Sequence, residues 1–558
     1  MKTPNPSTAK PPERMKMYHA GKGALTGFLL TVSFTAIMFM FYQLAGLPFL
    51  PFDFFDWMTR VLPGPVVTFG IDLMIDIFRF LGINVADAAK GAEQVIAVTQ
   101  FLAGGTLISV FYFWIMNRKN SRPDVLTGIL TGILVGSPFI TISIAISQST
   151  ISPAIRILWL VLLFVAFGLI LGLSFNSLVD DSDKISGQEK DNLKEIKKGR
   201  RKFIIQLSSI SAGITLLGSF AGGLISRSKQ NKIQDEFGNT LAHRTETGSG
   251  MPFPNLNDPV TPAPGTRPEY TPIKDHYKVY IRTEPTIIDG SKWILPITGL
   301  VEKPLMLSLN DIKNNYPKQS QYVTISCISG RIGTSLIGTT LWSGVSVQDV
   351  LKDAKVKPDA KYLYITAGDG FYESVELDSI YADKRIMLCY AWDGHDLPVE
   401  HGYPLRIWIP DRYGMKQPKW ITGIEVTDKY KKGYWVERKW DETARVKATS
   451  VIDTVAVDAT YNNGEKKLVP VGGIAFAGAR GISAVEVRVD SGPWKKAKLR
   501  SPLSDTTWVI WRYDWPYEKG EHIFEVRCAE KDGTPQIEQK QSNRPSGATG
   551  IHSYKIKV

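Results

Sequence analysis

The sequence predicts a multi-domain chain in three styles: an N-terminal α-helical membrane domain of about five spans, a domain of short strands and helices, and a C-terminal all-β domain. Three observations predict it. At 558 residues the chain exceeds one domain, and its apolar blocks crowd into the first part, leaving a polar remainder. From Tyr277 the pattern becomes short strands and glycine turns; WILPITGLVEKPLMLSLNDI reads as a hairpin followed by a short helix. From about Thr443 to Val558 many short strands follow one another with turns at NNG, DSG and KDG, the pattern of an immunoglobulin-type sandwich.

The spans come first. Residues from about Ala24 to Leu47, Glu93 to Met116, Val125 to Ser147, Ile155 to Leu178 and Phe203 to Ser226 each hold the roughly 20 apolar residues a bilayer crossing needs. The first is too long and too far from the start for a cleaved signal peptide, so it is expected to stay in the membrane. Positive charge sets the orientation. Lys2, Lys10, Arg14, Lys16 and Lys22 precede the first span; Arg118, Lys119 and Arg122 follow the second; KKGRRK, Lys197 to Lys202, precedes the fifth. By the positive-inside rule all three face the cytoplasm, which places everything after Ser226 outside. The net charge of +12 is thus read as membrane topology, not nucleic-acid binding, since no aromatic-interleaved basic surface is present.

Between the first two spans, Pro51 to Ala92 contains an apolar stretch, Ile71 to Leu81, in which Asp72, Asp76 and Arg79 recur at helical spacing. That is an amphipathic helix on the outer face or beneath the exported domain, with docking of an electron carrier as a second reading. GRRKFIIQL, Gly199 to Leu207, reads either as a twin-arginine export signal or as ordinary flanking charge. Residues 227–273 are polar and then proline-rich, so they are read as an extracytoplasmic tether leading into a domain over 274–442 and a second over 443–558.

The chain holds three cysteines, too few for a disulfide scaffold. Cys389 and Cys528 sit in strand-like apolar runs and are expected in cores. Cys327 differs. A β-branched and aromatic run, Tyr322 to Ile325, delivers it to a loop carrying Gly330, Gly333 and Gly338, where backbone can approach a ligand closely. A thiolate so presented suits a heavy metal or nucleophilic catalysis; a small buried hydrophobe is the plain alternative.

TISCISG around Cys327, LWSGV at Leu341 to Val345, AGDGF at Ala367 to Phe371, EHGYPLR at Glu400 to Arg406 and YGMKQPKW at Tyr413 to Trp420 follow in an order and spacing that resemble the sulfite oxidase family. The resemblance runs from about Tyr277 to the C-terminus. It implies an α+β molybdopterin domain, a molybdenum–molybdopterin cofactor with Cys327 as the one protein ligand of the metal, and oxygen-atom transfer as the reaction. Tungsten is not excluded by sequence. A membrane-facing pterin enzyme loads its cofactor in the cytoplasm and is exported folded, which favours the twin-arginine reading.

The resemblance also carries residues. Arg282 falls where the family places a basic residue near the cofactor; Asp369, His401 and Arg406 match its pterin-contacting loops; Lys419 matches the lysine before a tryptophan; Lys416 adds a cation nearby. Where sulfite oxidases follow the cysteine with two adjacent arginines, this chain has Arg331 and then Ile332, and Trp440 stands at the position of a substrate-side tyrosine. Sulfite is therefore in doubt, and the substrate class is a small oxyanion or an S- or N-oxide. Cys327 with His401 as a nucleophilic pair is disfavoured because no third orienting residue or oxyanion-hole motif accompanies them. The C-terminal domain, with GIAFAGARG, WVIWRYDW and GATGIHSYKIKV, resembles the family's dimerisation domain and implies a homodimer.

Histidine is scarce in the membrane part: His19 is the only one in the first two hundred residues, and no CxxCH sequence occurs. Membrane b-type haem needs facing imidazoles, so no haem is expected and the electron carrier is a separate cytochrome, cupredoxin or quinone-linked subunit. A different class of function, a catalytically silent adhesion or assembly module, competes with the enzyme reading; retention of Cys327 with the cation set favours the enzyme.

Overall fold

Long apolar runs fold as helices because a helix satisfies its backbone within one segment. The computed structural model describes residues 13–81, 85–119, 123–146, 151–179, 190–238 and 253–558. The chain opens with helices α1 (Glu13–Ala45), α2 (Leu50–Val61), α3 (Gly64–Phe80), α4 (Val85–Lys119), α5 (Val125–Ile146), α6 (Pro153–Leu178) and α7 (Lys190–Gly238). Among the described residues five stretches are long and apolar enough to cross a membrane: Ala20–Ala45, Lys90–Arg118, Val125–Ile146, Pro153–Leu178 and Gly199–Ser226. They coincide with the five that hydropathy predicts. The chain divides into two compact units, Met1–Leu62 with Lys90–Glu236, and Pro63–Ala89 with Phe237–Val558.

In the first unit small residues let helices touch. A Cβ on Gly132 of α5 would lie 2.1 Å from the Phe164 carbonyl oxygen, and one on Gly168 of α6 would lie 2.2 Å from that of Gly128. Such close backbone approach is how helices associate where lipid removes the hydrophobic drive. The Ser33 hydroxyl meets that of Ser211 at 2.7 Å, joining α1 to α7, and Ser143 on α5 donates to the buried Asp53 of α2 at 2.6 Å.

In the second unit α3 is the amphipathic helix the spacing predicts, though it starts at Gly64, earlier than Ile71. Val66, Phe69, Leu73, Ile77 and Phe80 recur every three or four residues and are exposed. The expected tether is changed at both ends. SRSKQNKIQDEF contains no proline or glycine to stop a helix, so α7 runs on to Gly238. Residues 239–252 lie outside the described residues. Beyond them the proline-rich segment is pinned: Arg500 donates to the carbonyls of Asn255 and Val260 and to Glu269, and Arg267 grips Asp453 in a two-pronged ion pair.

Residues 294–427 build two sheets. The first runs in the order β2 (Leu305–Ser308), β1 (Ile294–Gly299), β10 (Ile421–Thr427), β5 (Tyr362–Ala367), β6 (Tyr372–Glu376). Alternating burial along β5 points Leu363 and Ile365 into its core. The expected hairpin and helix are β1, β2 and α8 (Leu309–Asn315), whose start is held by a capping box between Ser308 and Asp311. The second sheet runs β3 (Lys318–Ser326), β4 (Ile337–Ser346), β7 (Met387–Trp392), β8 (His395–Asp396), with β9 (Arg406–Trp408) also on β7. Its Trp342, Trp392, Trp408 and Cys389 are fully buried.

From Thr449 onward two antiparallel sheets share one core: Val471 and Trp511 come from the first, Val487, Phe524 and Cys528 from the second. The predicted turns are real. Gly464 of NNG and Gly533 of KDG take φ of 62° and 90°, and Asp490 and Ser491 of DSG take 51° and 61°.

Candidate active site

Strand β3 ends at Ser326 and hands the chain to Cys327, whose N–H still bonds the Leu336 carbonyl at 2.9 Å. The loop that follows is tight: Gly330 N–H returns to the Cys327 carbonyl at 3.1 Å, and Gly333 has φ 80° with its α-carbon against the His552 ring. Cys327 Sγ lies 3.0 Å from Ser329 Oγ and retains partial exposure. Burial nevertheless pushes the thiol up, offset in part by the Ser329 hydrogen bond and the charge of Lys419. The protein alone therefore does not make a thiolate here; a metal would, since coordination deprotonates a thiol outright. Sγ pairs with Ser329 and not with an imidazole, which removes support from a cysteine–histidine nucleophile.

Trp420 knits three of the other four motifs together. Its N–H bonds the Gly402 carbonyl at 3.3 Å, its carbonyl accepts from Gly368 N–H at 2.8 Å, and its indole donates to the Val399 carbonyl at 2.9 Å. EHGYPLR, AGDGF and KQPKW thus meet at one residue. Gly402 is needed there: its φ is 113°, and a Cβ would sit 3.0 Å from Lys419 Cβ and 3.2 Å from Arg406 Cβ. In AGDGF the buried Asp369 accepts from Phe371 N–H at 2.9 Å.

What assembles is a cationic and aromatic cluster, buried at His276, His401 and Arg406 and half-buried at Lys419. Arg406 lies 4.2 Å over the Trp342 ring and donates to the His401 carbonyl at 3.0 Å. Lys419 sits 5.1 Å over Tyr280 and 4.8 Å over Trp420 while donating to the carbonyls of Val279 and Glu400. His401 packs edge-on against His276 at 5.2 Å and Trp392 at 4.6 Å. Burial holds His401 well below the usual histidine range, with His276, Lys419 and Arg406 adding to the effect. It brings His276 down to about 3 despite the bond to the Tyr277 carbonyl. Burial also lowers Arg406 to about 10. Both imidazoles are neutral at pH 7, and the positive charge belongs to Arg406 and Lys419.

Four polar atoms of this cluster, His276 Nε2, His401 Nε2, Arg406 Nε and Trp342 Nε1, are buried without a hydrogen-bond partner. Gathered in one place, such donors and acceptors are what a polar ligand would complete. An anionic, amide-rich pterin fits such donors and acceptors. Among the described residues no group of three or more His, Cys, Asp or Glu could hold a metal alone, so a metal at Cys327 needs ligands from a cofactor, as a dithiolene provides.

The remaining expected residues are distributed differently. Arg331 lines a cavity of about 40 Å³ together with Cys327. Trp440 does not line it; buried, it packs in the apolar cluster of Ile328, Tyr413 and Ile474, with Arg544 4.4 Å over its ring. Lys416 is buried against Glu373 at 2.6 Å, so its charge is matched within the protein. Arg282 is half-buried in the irregular segment ahead of β1. Sequence reasoning missed His276, Glu373 and Arg267, which lie outside the quoted motifs, and it gave no site role to Tyr413, although it opens YGMKQPKW, or to Asp76, read only as part of an amphipathic helix.

A family model described as the oxidoreductase molybdopterin binding domain matches residues 282–435. The oxidoreductase YuiH of Bacillus subtilis is 35% identical over 147 residues, 26% of this chain and 71% of that protein. The chain belongs to the sulfite oxidase family. It is an enzyme of that family, a molybdopterin oxidoreductase. Family relatives also include a mitochondrial sulfite oxidase of Macaca fascicularis, 25% identical over 44% of this chain and 53% of its own length. A putative protein-methionine-sulfoxide reductase subunit, YedZ1 of Azospira oryzae, is 29% identical over 28% and 56% respectively. The chain thus spans little more than half the length of the last two.

Proposed function

We propose that this protein is a membrane-anchored molybdenum–molybdopterin oxidoreductase that transfers an oxygen atom to or from a small oxyanion or an S- or N-oxide outside the cytoplasm. The observation that carries it is the buried set of unpartnered polar atoms on His276, His401, Arg406 and Trp342 beside Cys327. When bound, the molybdenum cofactor supplies two-electron oxygen-atom exchange: substrate plus water gives oxygenated product, two protons and two electrons, or the reverse. The chain's own residues do the rest. Cys327 ligates the metal; Arg406 and Lys419 offset the anionic cofactor; His401, Asp369 and Arg282 hold its polar edges; Arg331 faces the substrate side. Lys416 contributes through Glu373, and Trp440 through the wall behind the cavity. Tungsten in the same site is compatible with these residues.

Four parts follow from this reading: a membrane domain over 1–226, a linking segment over 227–273, the molybdopterin domain over 274–442, and an immunoglobulin-like dimerisation domain over 443–558. The five apolar helices support anchoring, and the positive-inside rule supports an outside catalytic domain. Export of the folded enzyme uses Arg200 and Arg201, and the Arg200→Lys/Arg201→Lys variant separates that role from plain flanking charge. Electrons pass to or from a separate carrier, a cytochrome, cupredoxin or quinone-linked subunit. The adhesion alternative explains neither Cys327 nor the cation cluster.

Dye-linked turnover of the purified chain tests the assignment. Cys327→Ser abolishes turnover and leaves the fold intact; a fully active serine variant sinks it.

A further inference from the structure

The cavity beside Cys327 is lined by basic residues from three parts of the chain: Arg331 of the cysteine loop, Arg267 of the proline-rich segment and Lys447. By number this is an anion site. Yet both arginines already hold carboxylates. Arg267 meets Asp453 with Nε at 2.9 Å and Nη2 at 2.6 Å, and its own N–H adds a third bond, a fixed and largely buried arrangement. Arg331 meets Asp76 of α3 through one contact, Nη2 to Oδ1 at 2.8 Å, with 42% and 58% of the two side chains exposed. The first pair is built into the fold; the second is the adjustable one.

Asp76 reaches Arg331 because of how α3 is patterned. Its apolar stripe of Val66, Phe69, Leu73, Ile77 and Phe80 is exposed, and Asp76, three residues after Leu73 at the border of that stripe, pairs with Arg331, 255 residues away in sequence. The position at which a second arginine is expected is Ile332, which packs against the apolar cluster of Tyr413 and Ile474. Of the two arginines lining the cavity, Arg331 is therefore the one open to an incoming anion, and a carboxylate stands on it, leaving Lys447 as the cation of the lining that no carboxylate contacts among the described residues.

From this we infer that Asp76 is a specificity-determining residue: by offsetting Arg331 it shifts the cavity's preference away from oxyanions and toward uncharged molecules of similar shape, such as a neutral S- or N-oxide. This rests on Cys327 marking the reaction site. An oxyanion competes with Asp76 for Arg331 and is repelled by it; a neutral molecule is not. The contribution of an exposed pair is modest and screened by salt, so the effect is a several-fold selection.

The test uses two probes of matched shape and different charge, methanesulfonate and dimethyl sulfone, whose methyl protons report binding to the full detergent-solubilised chain by saturation-transfer NMR. At low salt Asp76→Asn should tighten methanesulfonate about fivefold and change dimethyl sulfone less than twofold. The gain should vanish in Asp76→Asn/Arg331→Gln and shrink as salt is raised. Unchanged methanesulfonate affinity overturns the proposal, and so does an equal shift for both probes, which is what a merely structural role gives. Molybdenum content of the same samples keeps the two questions apart: a chain without metal undermines the cofactor reading, whereas the probe comparison reads the ion pair alone.

Discussion

Replacing Lys416 by methionine keeps the aliphatic stem and strands Glu373 in the interior. The two side chains are 7% and 0% exposed and meet at 2.6 Å. Burial pushes the Glu373 carboxyl up even with Lys416 beside it, and Glu373 Oε2 already lacks a partner. Gly433 closes the space: a Cβ there would lie 2.1 Å from Glu373 Oε1. Removing one member of such a pair costs about 3–5 kcal/mol, because the remaining charge has neither solvent nor partner. At about 2–4 °C per kcal/mol, the unfolding midpoint falls by roughly 10 °C. The assay is thermal unfolding of the purified chain followed by tryptophan fluorescence. Replacing both, Lys416→Met with Glu373→Met, should recover most of the loss, since an apolar pair of similar volume is close to neutral. If Lys416→Met instead releases the cofactor with no fall in midpoint, Lys416 is a cofactor cation and the reasoning fails.

Two further outcomes follow. His276 titrates near 3 in the fold and near 6.5 when unfolded, so between those values the unfolded chain binds the extra proton. Stability should drop by about 1.4 kcal/mol per pH unit as pH falls through that window, and His276→Phe should flatten the slope in denaturant titrations; an unchanged slope refutes it. The isolated chain should show no haem Soret band and should turn over only with an added carrier or dye; a stoichiometric b-type spectrum contradicts a separate carrier.

Much of the molecule was legible because its signals are local. Apolar length located all five candidate spans, NNG, DSG and KDG marked real turns, and Cys389 and Cys528 are buried as their strand-like surroundings predict. Motif order also brought His401, Arg406 and Lys419 to one cluster. What could not be read depends on contacts between distant residues. Nothing in KDHYKVY shows that His276 will meet His401 edge-on, and Lys416 reads as a solvated or cofactor cation because its partner Glu373 lies in a strand outside the motifs. The proline-rich segment reads as an extended tether because its anchor, Arg500, comes more than 200 residues later. Asp76 carries a clear helical signature, but no pattern reveals that its carboxylate lands on Arg331.

Metal analysis of the purified chain tests the central claim most directly. One cysteine thiol, the charges of Arg406 and Lys419, and four unpartnered polar atoms are the features on which the proposed pterin-borne metal rests. About one molybdenum per chain is the result expected; tungsten in the same amount would keep the site and change the metal. Cleanly folded protein, expressed with cofactor synthesis intact, that carries neither metal would contradict the account.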